Sequence, residues 1–169
     1  MNNTLAILTL DTQNHSILGI QITQKQFKFK CKRNASLCCK LGGPILTEND
    51  INKIKLAGYS TDDFLELFKT NAEHLSGCLK TRTDGSCIFL NYDKTQNLHN
   101  CSIYNSRPSL CKLYPFTFEL LESDRIALQL IPCCLGLNDP EGKVLDEKFV
   151  RKNLLEPLFD AIELSKTRQ

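Results

Sequence analysis

The spacing of apolar residues changes several times along the chain, and each change predicts an element. Leu5–Leu10 and Ile17–Ile22 are short apolar pieces that, with Asp11, Asn14 and Gly19, predict two strands and a turn. From Gln24 to Lys32 the alternation is strict, with Phe27, Phe29 and Cys31 on one face of a strand and Lys28, Lys30 and Lys32 on the other. Cys31 is therefore expected to face inward and the lysines to form a solvated face. Thr47-Glu-Asn-Asp50 opens a helix with Thr47 at its N-cap, and Ile51, Ile54 and Leu56 line one side of it up to Gly58. A second helix starts at Ser60 or Thr61 and carries Phe64, Leu65, Leu67 and Phe68 as a core-facing stripe. Asp62, Asp63 and Glu66 lie near its N-terminus, where acidic side chains complement the helix dipole, so no catalytic role is read into them.

Residues 77–92 read as a hairpin with Cys78-Leu79 and Cys87-Ile-Phe-Leu90 as arms and Thr83-Asp-Gly85 as the turn. Phe116–Leu121 and Arg125–Ile131 form a second hairpin joined at Ser123-Asp124, leading to Cys133 and Cys134. Asn138–Gly142 breaks the chain, and Glu147–Lys166 reads as a closing helix kinked before Pro157. These elements predict a small single α+β domain, with short hairpins and about four helices around a cysteine-lined metal centre. The cysteine-cluster core is expected over residues 27–137 and the C-terminal helix over 147–166.

Composition narrows the class. The chain has 169 residues and is 41% hydrophobic, enough for one domain to bury a core without covalent staples. Its net charge of +2 gives no strong bias towards polyanions, so no DNA partner is expected. Leu5–Leu10 is too short for a secretory core segment and no run approaches a membrane span, so no membrane is expected. The nine cysteines are an odd number, which suits full disulfide pairing badly. Clustered cysteines in a reducing compartment more often mean metal, and a cytoplasmic location is expected.

The cysteines are the candidate chemistry. Cys31, Cys38 and Cys39 lie within nine positions and are answered by Cys87, Cys101, Cys111, Cys133 and Cys134. A thiolate is a soft donor suited to zinc or iron–sulfur chemistry, and loops can fold several around one centre. Cys38-Cys39 is placed in a loop by Asn34, Ser36, Gly42, Gly43 and Pro44, and a vicinal pair rarely bonds to itself because the ring is strained. Cys78 reads as a core residue or a ligand. His74 and His99 could complete a mixed site, though neither has a partner at finger-like spacing, and His15 reads as a surface residue. Ser106 can cap a short helix with Pro108 in its first turn, Cys111 in its body and Pro115 at its end. Arg107 then lies near the thiolates, where it could lower thiol pKa values and stabilise an anionic cluster, or form a structural ion pair. Tyr104 and Tyr114 could donate to sulfur or fill the core.

Phe29-Lys-Cys31 with Cys38-Cys39, Gly85-Ser-Cys87-Ile-Phe-Leu, and Cys101-Ser-Ile-Tyr-Asn-Ser-Arg107-Pro-Ser-Leu-Cys111-Lys-Leu-Tyr-Pro115 together resemble the CxxCxxCC cysteine-cluster family, also called YkgJ-like zinc- or iron-chelating domains. The resemblance implies motif positions at Cys31, Cys38, Cys39, Cys87, Cys101 and Cys111, with Cys134 as the closing cysteine. The chain departs from the family at Asn34, which stands where another cysteine usually follows the first. The missing ligand is left to Cys133, Cys78 or a histidine. The implied cofactor is an iron–sulfur cluster, 4Fe–4S being one form, or zinc. Iron–sulfur is favoured because six to eight thiols exceed what one tetrahedral zinc takes, although two zinc ions would also use eight.

The physiological role is not named by this resemblance. Some relatives are described as Fe–S oxidoreductases or are associated with flagellin lysine N-methylation, so one alternative is a cluster-dependent oxidoreductase or a protein lysine N-methyltransferase component. No glycine-rich nucleotide fingerprint follows a strand here, which argues against it. Another alternative is a zinc-stabilised RNA- or protein-binding adaptor, using the surface around Lys25–Arg33. No catalytic pair is read, and the protein partner is unspecified.

Overall fold

The computed structural model describes residues 3–32, 37–40, 42–67 and 77–166. Asn34, Ser36, Phe68 and His74, on which expectations fall, lie outside the described residues. Strands and helices are both present, and the chain divides into two compact units: Met1–Lys32 with Leu113–Ile162, and Arg33–Lys112 with Glu163–Gln169. Six α-helices occur among the described residues where about four were expected. The additions are a single turn at Leu37–Lys40 and the division of the last helix into two.

The first unit is built on an antiparallel sheet in the order Ser16–Ile22, Thr4–Asp11, Arg125–Leu130, Phe116–Leu120. The two strands and turn expected at the N-terminus and the hairpin expected over Phe116–Ile131 are both there. In the first, the Asp11 carboxylate accepts from the N–H groups of Gln13 (3.1 Å) and Asn14 (3.0 Å), closing the turn with its own side chain. In the second, Ser123 and Asp124 both adopt positive φ, 59° and 56°, which suits the twist of a tight hairpin. What period-two spacing did not reveal is that the hairpins join through Thr4–Asp11 and Arg125–Leu130. Leu5, Leu8, Ile126 and Leu128 on these central strands are fully buried, as are Leu145, Val150, Leu154 and Leu158 towards the C-terminus. Each such side chain contributes about 1.5–3 kcal/mol.

The closing helix is two helices, Glu147–Asn153 and Leu155–Lys166. Pro157 accounts for the break. It has no N–H to offer the Asn153 carbonyl, four residues back, and its ring crowds that carbonyl.

The strand expected over Gln24–Lys32 shrinks to Lys28–Phe29, paired with Lys143–Val144. Phe27 is buried and Phe29 packs edge-on against Phe116, ring centroids 5.2 Å apart, but Cys31 is exposed rather than inward-facing. The backbone is diverted from a longer ladder. Lys30 N–H donates to the Gly136 carbonyl at 3.0 Å, and a Cβ on Gly136 would strike the Lys30 carbonyl. The lysine face is not freely solvated either. Lys28 Nζ donates to the Pro140 carbonyl (3.3 Å), Lys30 pairs with Glu141 (2.5 Å) and Lys32 pairs with Asp139.

The second unit opens with the expected helix, Glu48–Leu56, started by the reciprocal Thr47–Asp50 capping box. Ile51 and Ile54 are buried, but Leu56 is 89% exposed. At about 100° per residue, Leu56 lies about 140° from Ile51 around the helix axis, away from the buried face. The next helix is a single turn, Thr61–Phe64, which gives way to a strand at Leu65–Leu67. Leu-Glu-Leu alternates with period two, and Gly77–Leu79 supplies the partner. Gly77 allows the approach, since a Cβ there would meet the Glu66 carbonyl.

The expected hairpin over 77–92 survives only as its turn. Gly77–Leu79 pairs on both sides, with Ile45–Leu46 and with Leu65–Leu67, whereas Leu90–Asp93 pairs with Leu98–Cys101. One bridge, Thr81 to Cys87, connects the would-be arms. Leu46, Ile51, Ile54, Phe64, Leu79, Phe89, Leu90 and Ile103 form a buried cluster that also contains Cys39 and Cys87, with Cys38 and Cys101 packed against it.

Candidate metal centre

Four short pieces of the second unit carry five of the thiols. Cys38 and Cys39 lie on the turn of helix Leu37–Lys40, not in an irregular loop. The Cys39 carbonyl accepts from Cys87 N–H at 2.8 Å, which ties this turn to the segment after Gly85. That segment is held by Asp84, whose carboxylate accepts from Ser86 N–H (3.0 Å) and Ser86 Oγ (2.7 Å), and Cys87 leaves it buried. Cys101 ends the strand Leu98–Cys101, opposite Leu90. Cys111 lies within the helix Ser109–Leu113.

Asp50 fixes the start of that last helix. It is fully buried; Oδ2 accepts from Thr47 N–H (3.2 Å), while Oδ1 accepts from Ser109 N–H (3.0 Å) and Ser109 Oγ (3.2 Å). One carboxylate thus serves two helix starts, its own and the one carrying Cys111. The capping role of Asp50 at Thr47 was legible in sequence, but its hold on Ser109 was not. Ser106 is not the cap that spacing suggested. It ends a 3-10 turn, Tyr104–Ser106, and the Pro108 carbonyl accepts the first helical bond from Lys112 N–H at 3.0 Å.

These thiols interact. Cys39 lies within hydrogen-bonding reach of both Cys38 and Cys101, which holds those two below the ordinary thiol value. The Arg107 charge acts in the same direction, against their burial. Cys39 itself is kept protonated by Cys101, Cys38 and burial. Burial is the main cause pushing Cys87 and Cys111 upward; for Cys111 the neighbouring Cys87, Cys101 and Cys38 add to it, with Arg107 opposing. Arg107 is held by its own carbonyl contact, Nε to Tyr104 O at 3.1 Å, and its guanidinium lies 3.9 Å over the Tyr104 ring.

Cys78 stands apart from this group. It faces Ile45 and Glu66 in the three-stranded sheet, and burial followed by the Glu66 charge raises its thiol. His99, two residues before Cys101, lies opposite Tyr92 with ring centroids 5.1 Å apart, and its Nδ1 is buried without a hydrogen-bond partner among the described residues.

The first unit carries Cys31, Cys133 and Cys134. Cys31 and Cys133 are exposed. Tyr114 Oη lies 3.3 Å from Cys133 Sγ, so of the two tyrosine alternatives the sulfur contact is the one made by Tyr114. Cys134 Sγ accepts from Gly136 N–H at 3.4 Å, within the turn that meets Lys30. His15 is a surface residue as expected, stacked on Phe159 at 5.2 Å.

Among the described residues, no three His, Cys, Asp or Glu side chains are arranged so as to hold a metal ion. The expected cysteine-lined metal centre is therefore not shown as a formed ligand cage among the described residues. The donor chemistry does fit a thiophilic metal: several soft thiols, two held towards the thiolate form, one nearby cation and a buried imidazole nitrogen without a partner. No helix among the described residues is long and apolar enough to cross a membrane.

The pattern defining the CxxCxxCC family, described as a "putative zinc- or iron-chelating domain", matches residues 30–148. The chain is also similar to a protein of Methanocaldococcus jannaschii called uncharacterized protein MJ0661, 32% identical over 143 residues that span 78% of this chain and 75% of the relative. No solved structure matches the chain. This chain belongs to the CxxCxxCC family, whose description as a zinc- or iron-chelating domain supports a metal ion as its partner.

Proposed function

We propose that the chain binds zinc or iron through thiolates of the Arg33–Lys112 unit, with Cys38, Cys39, Cys87, Cys101 and Cys111 as ligands and Arg107 offsetting their charge. The observation that carries this reading is the interaction of Cys39 with Cys38 and Cys101, together with the effect of Cys38 and Cys101 on Cys87 and Cys111, with Arg107 acting on Cys38, Cys101 and Cys111. Thiols that repel one another as anions are costly to ionise together unless a cation joins them, and a bound metal supplies that cation. On binding, Cys39 would give up the proton that Cys101, Cys38 and burial now hold on it, and Cys87 and Cys111 the protons held chiefly by burial. Cys31 and Cys134 join the ligand set by family resemblance, and Cys133 is a candidate for the position that Asn34 leaves open; Cys31 and Cys133 are exposed and Cys134 is half-buried.

Between the two metals, an iron–sulfur cluster suits the site better. One tetrahedral zinc takes four ligands, and a guanidinium beside the sulfurs suits a net anionic cluster. All nine cysteines are free thiols, which accords with a reducing, cytoplasmic setting. An RNA-binding adaptor is disfavoured, because Lys28, Lys30 and Lys32 are engaged by the Asp139–Glu141 segment. The test is metal and acid-labile sulfide analysis of protein purified without oxygen. Iron and sulfide in near-equal amounts would establish a cluster, zinc without sulfide would establish a zinc site, and protein that neither retains nor takes up either metal would overturn the reading.

A further inference from the structure

We propose that His99 is a nitrogen ligand of the metal held by the thiols of the Arg33–Lys112 unit, making the site a mixed sulfur and nitrogen centre. The proposal rests on the reading above that these thiols hold a metal. His99 Nδ1 is a buried polar atom with no hydrogen-bond partner among the described residues. Buried polar atoms in folded proteins are nearly always satisfied, and an exception calls for a partner such as an ion. Its position supplies the candidate. On the strand Leu98–Cys101, His99 and Cys101 are two residues apart, so both side chains leave the same face of the ladder.

Alternate residues on a strand stand about 7 Å apart. Two flexible side chains can close that gap around one metal ion with bonds of about 2.3 Å to sulfur and 2.0–2.1 Å to nitrogen. The imidazole is also supported from across the ladder by Tyr92, whose hydroxyl is itself engaged by Asn97 Oδ1. The ring contact restricts how the imidazole can turn. Neutral imidazole suits both zinc and iron, so the nitrogen does not depend on which metal is bound.

The experiment is X-ray absorption at the zinc edge of the reduced full chain loaded with zinc(II), compared with His99→Gln and His74→Gln. The expected result is an imidazole scattering pattern in the wild type and in His74→Gln that is lost in His99→Gln. Zinc affinity should fall at least tenfold in His99→Gln while its far-ultraviolet circular dichroism is retained. An all-sulfur shell in the wild type overturns the proposal even if His99→Gln fails to fold, as does an imidazole pattern that persists in His99→Gln. Zinc that fails to bind the wild type at all overturns the underlying metal reading as well, and so is distinguishable from an all-sulfur site.

Discussion

In the Arg33–Lys112 unit, Cys39 and Cys87 are part of the apolar core, Cys39 lowers Cys38 and Cys101, and Cys38 and Cys101 raise Cys111. In the other unit, Cys31 and Cys133 are exposed, and the sulfur contacts there include Tyr114 to Cys133 and Gly136 N–H to Cys134. The same residue type thus stands in two environments. A buried thiol among thiols is expensive to ionise alone, whereas an exposed thiol keeps its hydration. What the difference teaches is that the metal's grip should be concentrated where thiolate charge is least well solvated and most in need of a counter-ion.

Metal removal should break this comparison most visibly. Binding energies of structural metals reach roughly 10–16 kcal/mol in small metal-dependent domains. Chelation should therefore speed amide hydrogen exchange at Cys87, Cys101 and Cys111 by at least tenfold, while the paired strands Thr4–Asp11 and Arg125–Leu130 change little. Equal loosening of both regions would contradict the unequal grip.

The next largest effect falls on Asp50. Asp50→Ala removes the carboxylate that buried Ser109 and half-buried Thr47 donate to, and should cost about 2–4 kcal/mol in urea unfolding. Glu141→Ala, which removes the exposed partner of Lys30, should cost about 1 kcal/mol or less. If the two losses were equal, the buried carboxylate would not be the organiser of the helix that carries Cys111.

Thiol reactivity sharpens the comparison within the second unit. In metal-free protein Cys38 and Cys101 are held below the ordinary thiol value, so more thiolate is present near neutral pH and alkylation by iodoacetamide should begin at lower pH than for Cys78, which is raised. Removing a stabiliser of the thiolate must move the alkylation profile upward. Cys39→Ala should move the Cys38 profile further than Arg107→Leu, because the Cys39 hydrogen bond is the larger cause. A profile that moves downward in either variant would contradict the electrostatics described here. The smallest effect belongs to Tyr114→Phe, which removes one exposed contact to Cys133 and should change stability by less than about 1 kcal/mol in the same urea assay.

Much of the fold was legible in sequence because local patterns carried it. Thr47 with Asp50, Asp11 with Asn14, and Ser123-Asp124 are short-range signals, and each produced the expected cap or turn. The misreadings occurred where a partner far away in sequence decided the outcome. Leu65–Leu67 became a strand because Gly77–Leu79 was available, and the Cys31 strand stopped because the Gly136 turn took its backbone. The Cys101–Pro115 segment pointed to a thiol site, and the cysteines at 38, 39, 87, 101 and 111 do interact. The long-range contact of Asp50 with Ser109 and the unpartnered nitrogen of His99 have no sequence signature, since both depend on which strands and helices end up adjacent.

The most direct test of the central claim is metal content per chain in two double variants purified alongside the wild type, Cys38→Ser with Cys101→Ser and Cys31→Ser with Cys133→Ser. The account predicts that the first loses nearly all its zinc or iron and the second keeps most of it. Metal retained by the first and lost by the second would contradict the assignment of the centre to the buried thiols.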